Sequence, residues 1–272
     1  MYCFKKFKPL FEMDGERFDT FVLTGGRGSM KTGHAVRAVM VEMMKRRLRV
    51  VCFRETKTSQ KDSLINEFKE LIGGEFKGRG FVSNTETIKN VLTGASVTFL
   101  GLRDANENAR EAIKGLAQVD IWLVDEAQAV SSGVWDVLLK TIRKEGAKLI
   151  VIYNRIDDDL PVEKALFLDY YNKTAPEKTY FVEVNYPELE HTGLLSDKFI
   201  GYAELVKKNK PDEFERDYLN KPRGANVARV VIFAACGIKN AARRHQCPDV
   251  VFGLPLHPFR LQIIVNQNPV AV

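Results

Sequence analysis

The sequence predicts an α/β fold for residues 1–223, with a mainly parallel sheet flanked by helices. Three observations carry this expectation. Short apolar runs alternate with amphipathic stretches from about Phe21 onward, the pattern of strands joined by crossover helices. A glycine-rich turn separates the first apolar run from the first amphipathic stretch. The 272 residues are 45% hydrophobic and 28% charged, enough for a packed core and too apolar for a mainly disordered chain.

In order along the chain, residues 21–23 read as a strand. The glycine-rich turn follows, then a helix over 32–46 with the apolar stripe Ala35, Val36, Val39, Met40 and Met43. Residues 49–53 form the next strand. A helix over 61–72 places Leu64, Ile65, Phe68, Leu71 and Ile72 on one side, and Gly73-Gly74 stops it. Segments 87–92 and 96–100, separated by Thr93-Gly94-Ala95, read as a hairpin inserted into the series. Next come a buried strand over 121–124, a helix over 134–143, a strand over 149–153, a helix around 162–171 and a strand over 180–184. Helices over 197–208 and 211–218 close the unit. After Lys221-Pro222-Arg223-Gly224 helix signals fade and Pro248, Pro255, Pro258 and Pro269 appear. A boundary is therefore expected between a 1–223 domain and a short 224–272 tail.

Charge and cysteine usage narrow the classes. The net charge of +6 invites a nucleic-acid partner, but much of it lies in the tail, where Arg229, Lys239, Arg243, Arg244 and Arg260 face the single acid Asp249. No apolar run is long enough to span a membrane, and the first residues lack a signal-peptide pattern, so a soluble intracellular protein with no membrane partner is expected. Cys3, Cys52, Cys236 and Cys247 form no disulfide framework. Cys236, His245, Cys247 and His257 lack the close cysteine pair with which a zinc site usually begins.

The chemistry concentrates in two motifs. Gly25-Gly26-Arg27-Gly28-Ser29-Met30-Lys31-Thr32 lies between the first strand and the first helix, where a phosphate-binding loop belongs. Small residues let consecutive N–H groups curl around phosphate oxygens, and the helix dipole faces the anion. Lys31 would reach the β- and γ-phosphates of ATP, and the Thr32 hydroxyl would ligate Mg²⁺. Met30 stands where the motif has glycine; a helix-start backbone would tolerate it if its side chain has room. The second motif, VDIWLVDEAQAV, is a buried strand ending in Asp125, expected beside Mg²⁺, and Glu126, expected to orient and deprotonate the attacking water. Together they point to a phosphate-loop nucleoside triphosphatase of the additional-strand, catalytic-glutamate type.

Other residues are open between two roles. Asn154 ends the next strand and either senses the γ-phosphate or forms a turn. Arg54 ends the second strand and either touches nucleotide or pairs with a carboxylate. Arg103 and Arg110 are either solvated or reach a neighbouring subunit's γ-phosphate, in which case hydrolysis would rise on assembly. Asp157-Asp158-Asp159 is expected to cap the following helix and meet solvent.

With these motifs placed, residues 18–224 resemble the large terminase subunit of tailed bacteriophages, which packages DNA into the capsid. TGGRGSMKT, VVCFRETKTSQKDS, VDIWLVDEAQAV, VWDVLLKTIRK, IVIYN, FVEVNYPEL and FERDYLNKPRG carry the match in order. The resemblance implies an ATP-driven translocase of double-stranded viral DNA, working in the host cytoplasm as a homo-oligomeric ring on the portal protein, with a small terminase subunit as partner. It implies that Arg27 acts on the phosphates in cis and that Asn154 couples hydrolysis to movement. The family usually has Asn-Pro where this chain has Asn154-Arg155. The family's second half is a two-metal nuclease; with one acid after Gly224, no DNA cleavage is expected of this chain, and the tail reads as a truncated or divergent remnant. A nucleotide-binding scaffold without turnover, or another phosphate-loop ATPase such as a helicase-like protein, is the alternative.

Overall fold

The computed structural model describes residues 3–13, 15–54, 64–84, 87–101, 113, 115–116 and 118–222. Arg103, Arg110 and the 224–272 tail, with its cysteines, histidines and Asp249, lie outside the described residues.

Among the described residues, eight strands form one sheet: β1 (Thr20–Thr24), β2 (Arg49–Arg54), β3 (Phe81–Ser83), β4 (Thr87–Asn90), β5 (Ser96–Gly101), β6 (Ile121–Val124), β7 (Lys148–Tyr153) and β8 (Thr179–Glu183). Their order is β3-β4-β5-β2-β6-β7-β1-β8. Six neighbouring strands, from β5 to β8, run parallel, and β4 pairs antiparallel with both β3 and β5. The expected hairpin is thus present, and β5 itself joins the parallel sheet beside β2.

Among the described residues, six α-helices accompany the sheet: α1 (Lys31–Lys45), α2 (Leu64–Gly73), α3 (Ser132–Thr141), α4 (Pro161–Ala165), α5 (Asp197–Asn209) and α6 (Pro211–Tyr218). Side chains alternate between the faces of a strand, so the six parallel strands feed two cores, while β3 and β4 contribute to one. Phe21, Leu23, Leu123 and Ile152 pack with α1 and α2; Val22, Trp122, Val124 and Tyr153 pack with α3 and α4. Every residue of β6 and β7 is buried, as expected where helices cover both faces. Tyr186, Ala203, Val206, Phe214 and Tyr218 form a third, smaller cluster between α5 and α6. Among the described residues, no helix is long and apolar enough to cross a membrane.

Four local expectations are corrected. Strand β3 and a 3-10 helix at Lys5–Glu12 appear where neither was expected. The helix expected around 162–171 ends at Ala165; Phe167 takes a φ of 52°, and Asp169 bridges to Thr174. That turn brings Tyr170 and Tyr171 back against Arg155. The Asp157-Asp158-Asp159 run does not cap α4, whose N-cap is Leu160. Asp158 pairs with Arg155 and Asp159 with Lys164.

The 3-10 helix docks on α1 through His34, which is buried. The Phe4 N–H donates to His34 Nε2 at 3.1 Å, Nδ1 lies 2.8 Å from the Met30 carbonyl, and Phe7 stacks on the ring at 4.5 Å. Burial lowers the imidazole's pKa, favouring the neutral form with Nδ1 as donor and Nε2 as acceptor.

Candidate active site

Strand order builds the site. β7 lies between β1, which leads into the glycine-rich loop, and β6, which leads into the two acids. Parallel strands end on the same edge of the sheet, so Gly25, Asn154 and Asp125 follow three adjacent strand ends. Thr24 is in register with Tyr153, and Val124 with Val151.

The loop is braced from outside. The Gly26 N–H donates to Asn185 Oδ1 at 2.9 Å, and the Arg27 N–H to the Asp217 carbonyl at 2.6 Å. A Cβ on Gly26 would lie 2.5 Å from the Tyr218 backbone; one on Gly28, where φ is 76°, would lie 2.6 Å from the Phe199 ring. Small residues here admit the close approach of the protein's own α5 and α6.

Met30 is not at an ordinary helix start. It caps α1 in the left-handed region, with φ 57° and ψ 16°, which costs a non-glycine residue about 1–2 kcal/mol. This explains why glycine suits the position; Met30 is held there by packing on the core and by the His34 bonds to its carbonyl. Met30→Ala and Met30→Gly both delete the side chain beyond Cβ, but only glycine takes this φ freely. The glycine variant is expected to be the more stable of the two by about 1 kcal/mol, read as a shift of the urea midpoint at constant m.

Lys31 Nζ donates to the Gly25 carbonyl at 2.9 Å and to Ser29 Oγ at 3.2 Å, closing the loop on itself. Enclosure lowers its pKa to about 8, against the opposing attraction of Glu126 and Asp125. The ammonium and both carboxylates therefore share one electrostatic environment. Thr32 follows in the first turn of α1. Asp125 is 3% exposed, and its N–H donates to the Phe53 carbonyl, extending the sheet by one bond.

Glu126 is left-handed at φ 53° and accepts from Gln128 Nε2. Gln128 Oε1 accepts the Asn154 N–H at 3.2 Å. An N–H only donates, so the orientation of the Gln128 amide is set and its nitrogen must face Glu126. Asn154 Oδ1 is buried without a hydrogen-bond partner among the described residues.

Two expected site residues stand differently. The Arg27 side chain is 69% exposed, with Nε 3.7 Å from Asp217 Oδ2, so its guanidinium rests on α6. Arg54 ends β2 in register with Gly101; its side chain lies outside the described residues. Sequence reasoning assigned no role to Gln128, Asn185, Asp217 or Asn220, although all four lie in the quoted motifs. Their signal is single polar residues at strand and helix ends.

The inserted strand β7, the loop before α1 and the acids after β6 define a phosphate-loop nucleoside triphosphatase fold. Within that class, the chain belongs to the phage terminase large subunit family, whose model matches residues 17–220. Solved structures share the fold. The large terminase of bacteriophage HK97 is 14% identical over 82% of this chain and 51% of that one, with a TM-score of 0.61. A thermophilic bacteriophage large terminase in complex with ATP-gamma-S is 15% identical over 80% and 52%, with a TM-score of 0.59. The ATPase domain of the Thermus phage P74-26 large terminase is 13% identical over 81% and 99%, with a TM-score of 0.52. The chain thus spans about half the length of the HK97 and thermophilic phage proteins. No curated protein sequence matches it.

Proposed function

We propose that residues 1–223 bind and hydrolyse ATP as the motor domain of a phage DNA-packaging terminase. One observation carries this reading. The glycine-rich loop with Lys31 follows β1 and the acids Asp125 and Glu126 follow β6, on either side of β7, which Asn154 follows, so the ammonium and both carboxylates lie at one edge of the sheet.

The triphosphate would seat on the N-terminus of α1, with Lys31 exchanging its bonds to Gly25 and Ser29 for phosphate oxygens. Glu126 would take a proton from the attacking water as its oxygen bonds to the γ-phosphorus and the bond to ADP breaks, releasing ADP and phosphate. Arg27 would leave Asp217 to meet charge developing on the γ-phosphoryl group. Asn154, whose buried Oδ1 has no hydrogen-bond partner among the described residues, would sense the γ-phosphate or the water beside it, and Arg54 would contact the nucleotide. The Thr32 hydroxyl and the buried Asp125 carboxylate are hard oxygen donors suited to Mg²⁺. Bound there, the ion would neutralise charge on the β- and γ-oxygens.

Double-stranded viral DNA, the portal protein, the small terminase subunit and further copies in a ring are the partners this reading implies, and the host cytoplasm is the location. ATP turnover with and without DNA tests it. Binding without turnover would instead support a nucleotide-binding scaffold.

Proton linkage gives a second test. Phosphate charge favours the ammonium form of Lys31, so its pKa rises from about 8 when nucleotide binds. Affinity is therefore expected to be level well below pH 8 and to fall as pH rises through it, by up to about tenfold per unit. Calorimetry above pH 8 in two buffers of different ionisation heat should show net proton uptake; zero uptake would contradict the assignment.

A further inference from the structure

We propose that Asn220 is a positioning residue that ties the loop strand, the Asn154 strand and the edge strand to the exit of the domain, so that events at the γ-phosphate reach the end of α6. This rests on the ATP-hydrolysing reading above. Asn220 is 1% exposed, left-handed at φ 57°, and lies two residues beyond α6. Its Oδ1 accepts the Arg155 N–H at 2.7 Å, and its Nδ2 donates to Thr24 Oγ1 at 2.9 Å and to Glu183 Oε1 at 3.2 Å. The backbone donor again settles which way the amide faces.

Each partner adjoins a group of the site. Thr24 precedes Gly25. Arg155 follows Asn154, and a proline at 155 would have no N–H to give. Glu183 Oε1 also accepts from Asn185 Nδ2 at 3.3 Å, and Asn185 Oδ1 holds the Gly26 N–H. One buried amide therefore joins three of the segments that line the site, although it stands 196 positions from Thr24.

The partners are themselves held firmly. The Arg155 guanidinium bonds Glu163 at 2.9 Å and Asp158 at 3.0 Å and lies over Tyr170 and Tyr171. Tyr170 and Lys173 bond Glu183. A displacement of Asn154 thus cannot be absorbed by a loose Arg155; it must carry Asn220 along or break the bond. In so buried a network a broken bond leaves donors unsatisfied, which makes the junction cooperative.

Amide exchange over segments 25–31 and 216–222, with and without ATP-gamma-S, tests this in the parent, Asn220→Gly and Asn220→Asp. Glycine keeps the positive φ without the side chain; aspartate keeps the acceptor for Arg155 but loses the donors. In the parent, nucleotide should protect 25–31 and alter exchange at 216–222. In Asn220→Gly, protection of 25–31 should persist with affinity within about threefold, 216–222 should stop responding, and kcat should fall at least about tenfold with KM little changed. Asn220→Asp should retain part of the response, with reduced kcat. A silent 216–222 segment in the parent, or a parent-like response and kcat in either variant, would overturn the inference while leaving the ATPase reading intact. If Asn220→Gly does not fold, the parent and Asn220→Asp still decide. Absence of protection at 25–31 in the parent would remove the nucleotide reading, and the inference with it.

Discussion

Lys31→Ala is expected to abolish measurable ATP binding, or failing that all turnover. The loop presents one ammonium, held at the Gly25 carbonyl and Ser29 and sharing its environment with two acids. Without it the two carboxylates face the incoming phosphates uncompensated, so both attraction to the nucleotide and stabilisation of the γ-phosphoryl charge are lost. The loop itself should persist, because its outer N–H groups are held by Asn185 and Asp217 and its helix by packing. Circular dichroism and the unfolding midpoint should therefore stay close to the parent. Labelled ATP bound by the variant as tightly as by the parent would show that the site has been misplaced.

Glu126→Gln should give the opposite split, with nucleotide bound and turnover slowed at least about a hundredfold, as for removal of a general base. Glutamine matches the size of glutamate and can still meet Gln128, so the left-handed backbone at 126 and the Asn154 contact should survive. Only the ability to take a proton is removed. A single-turnover experiment with prebound ATP isolates that step, and equal rates in parent and variant would transfer the role to another group.

The placement of the two motifs at strand ends was legible because each motif is local in sequence. Strand, glycine-rich turn, Lys-Thr and helix lie within a dozen residues, and the acidic strand announces itself as an apolar run ending in two charges. The parallel strands were legible for the same reason, since a strand covered on both faces carries its own apolar signature. Strand β3 has three residues, too few for periodicity to register. The 3-10 helix at Lys5–Glu12 contains Pro9 and packs through Phe7 and Leu10. Leu166 and Leu168 continue a helical pattern past Ala165, yet the chain turns at Phe167 because tertiary contacts draw Tyr170 and Tyr171 onto Arg155. Asn185 and Asn220 work through partners far away in sequence, Gln128 joins Glu126 to Asn154, 26 positions on, and a lone amide leaves no periodic trace. The left-handed state of Met30 was also hidden; a methionine there gives no hint of a positive φ.

The place of β1 in the sheet bears on the order in which the molecule assembles. Thr20 to Thr24 pair on one side with β7 and on the other with β8, more than a hundred residues downstream. The loop that follows is then gripped by Asn185 and by the Asp217 carbonyl. A polypeptide leaving the ribosome therefore delivers the phosphate loop early and must keep it waiting without its neighbours. Such distant closure makes folding slow and leaves β1 with exposed edges meanwhile. A nascent chain halted before β8 lacks the bonds that brace this loop, and on the proposed reading competence to hold a nucleotide is expected only when α6 and the residues just after it have emerged.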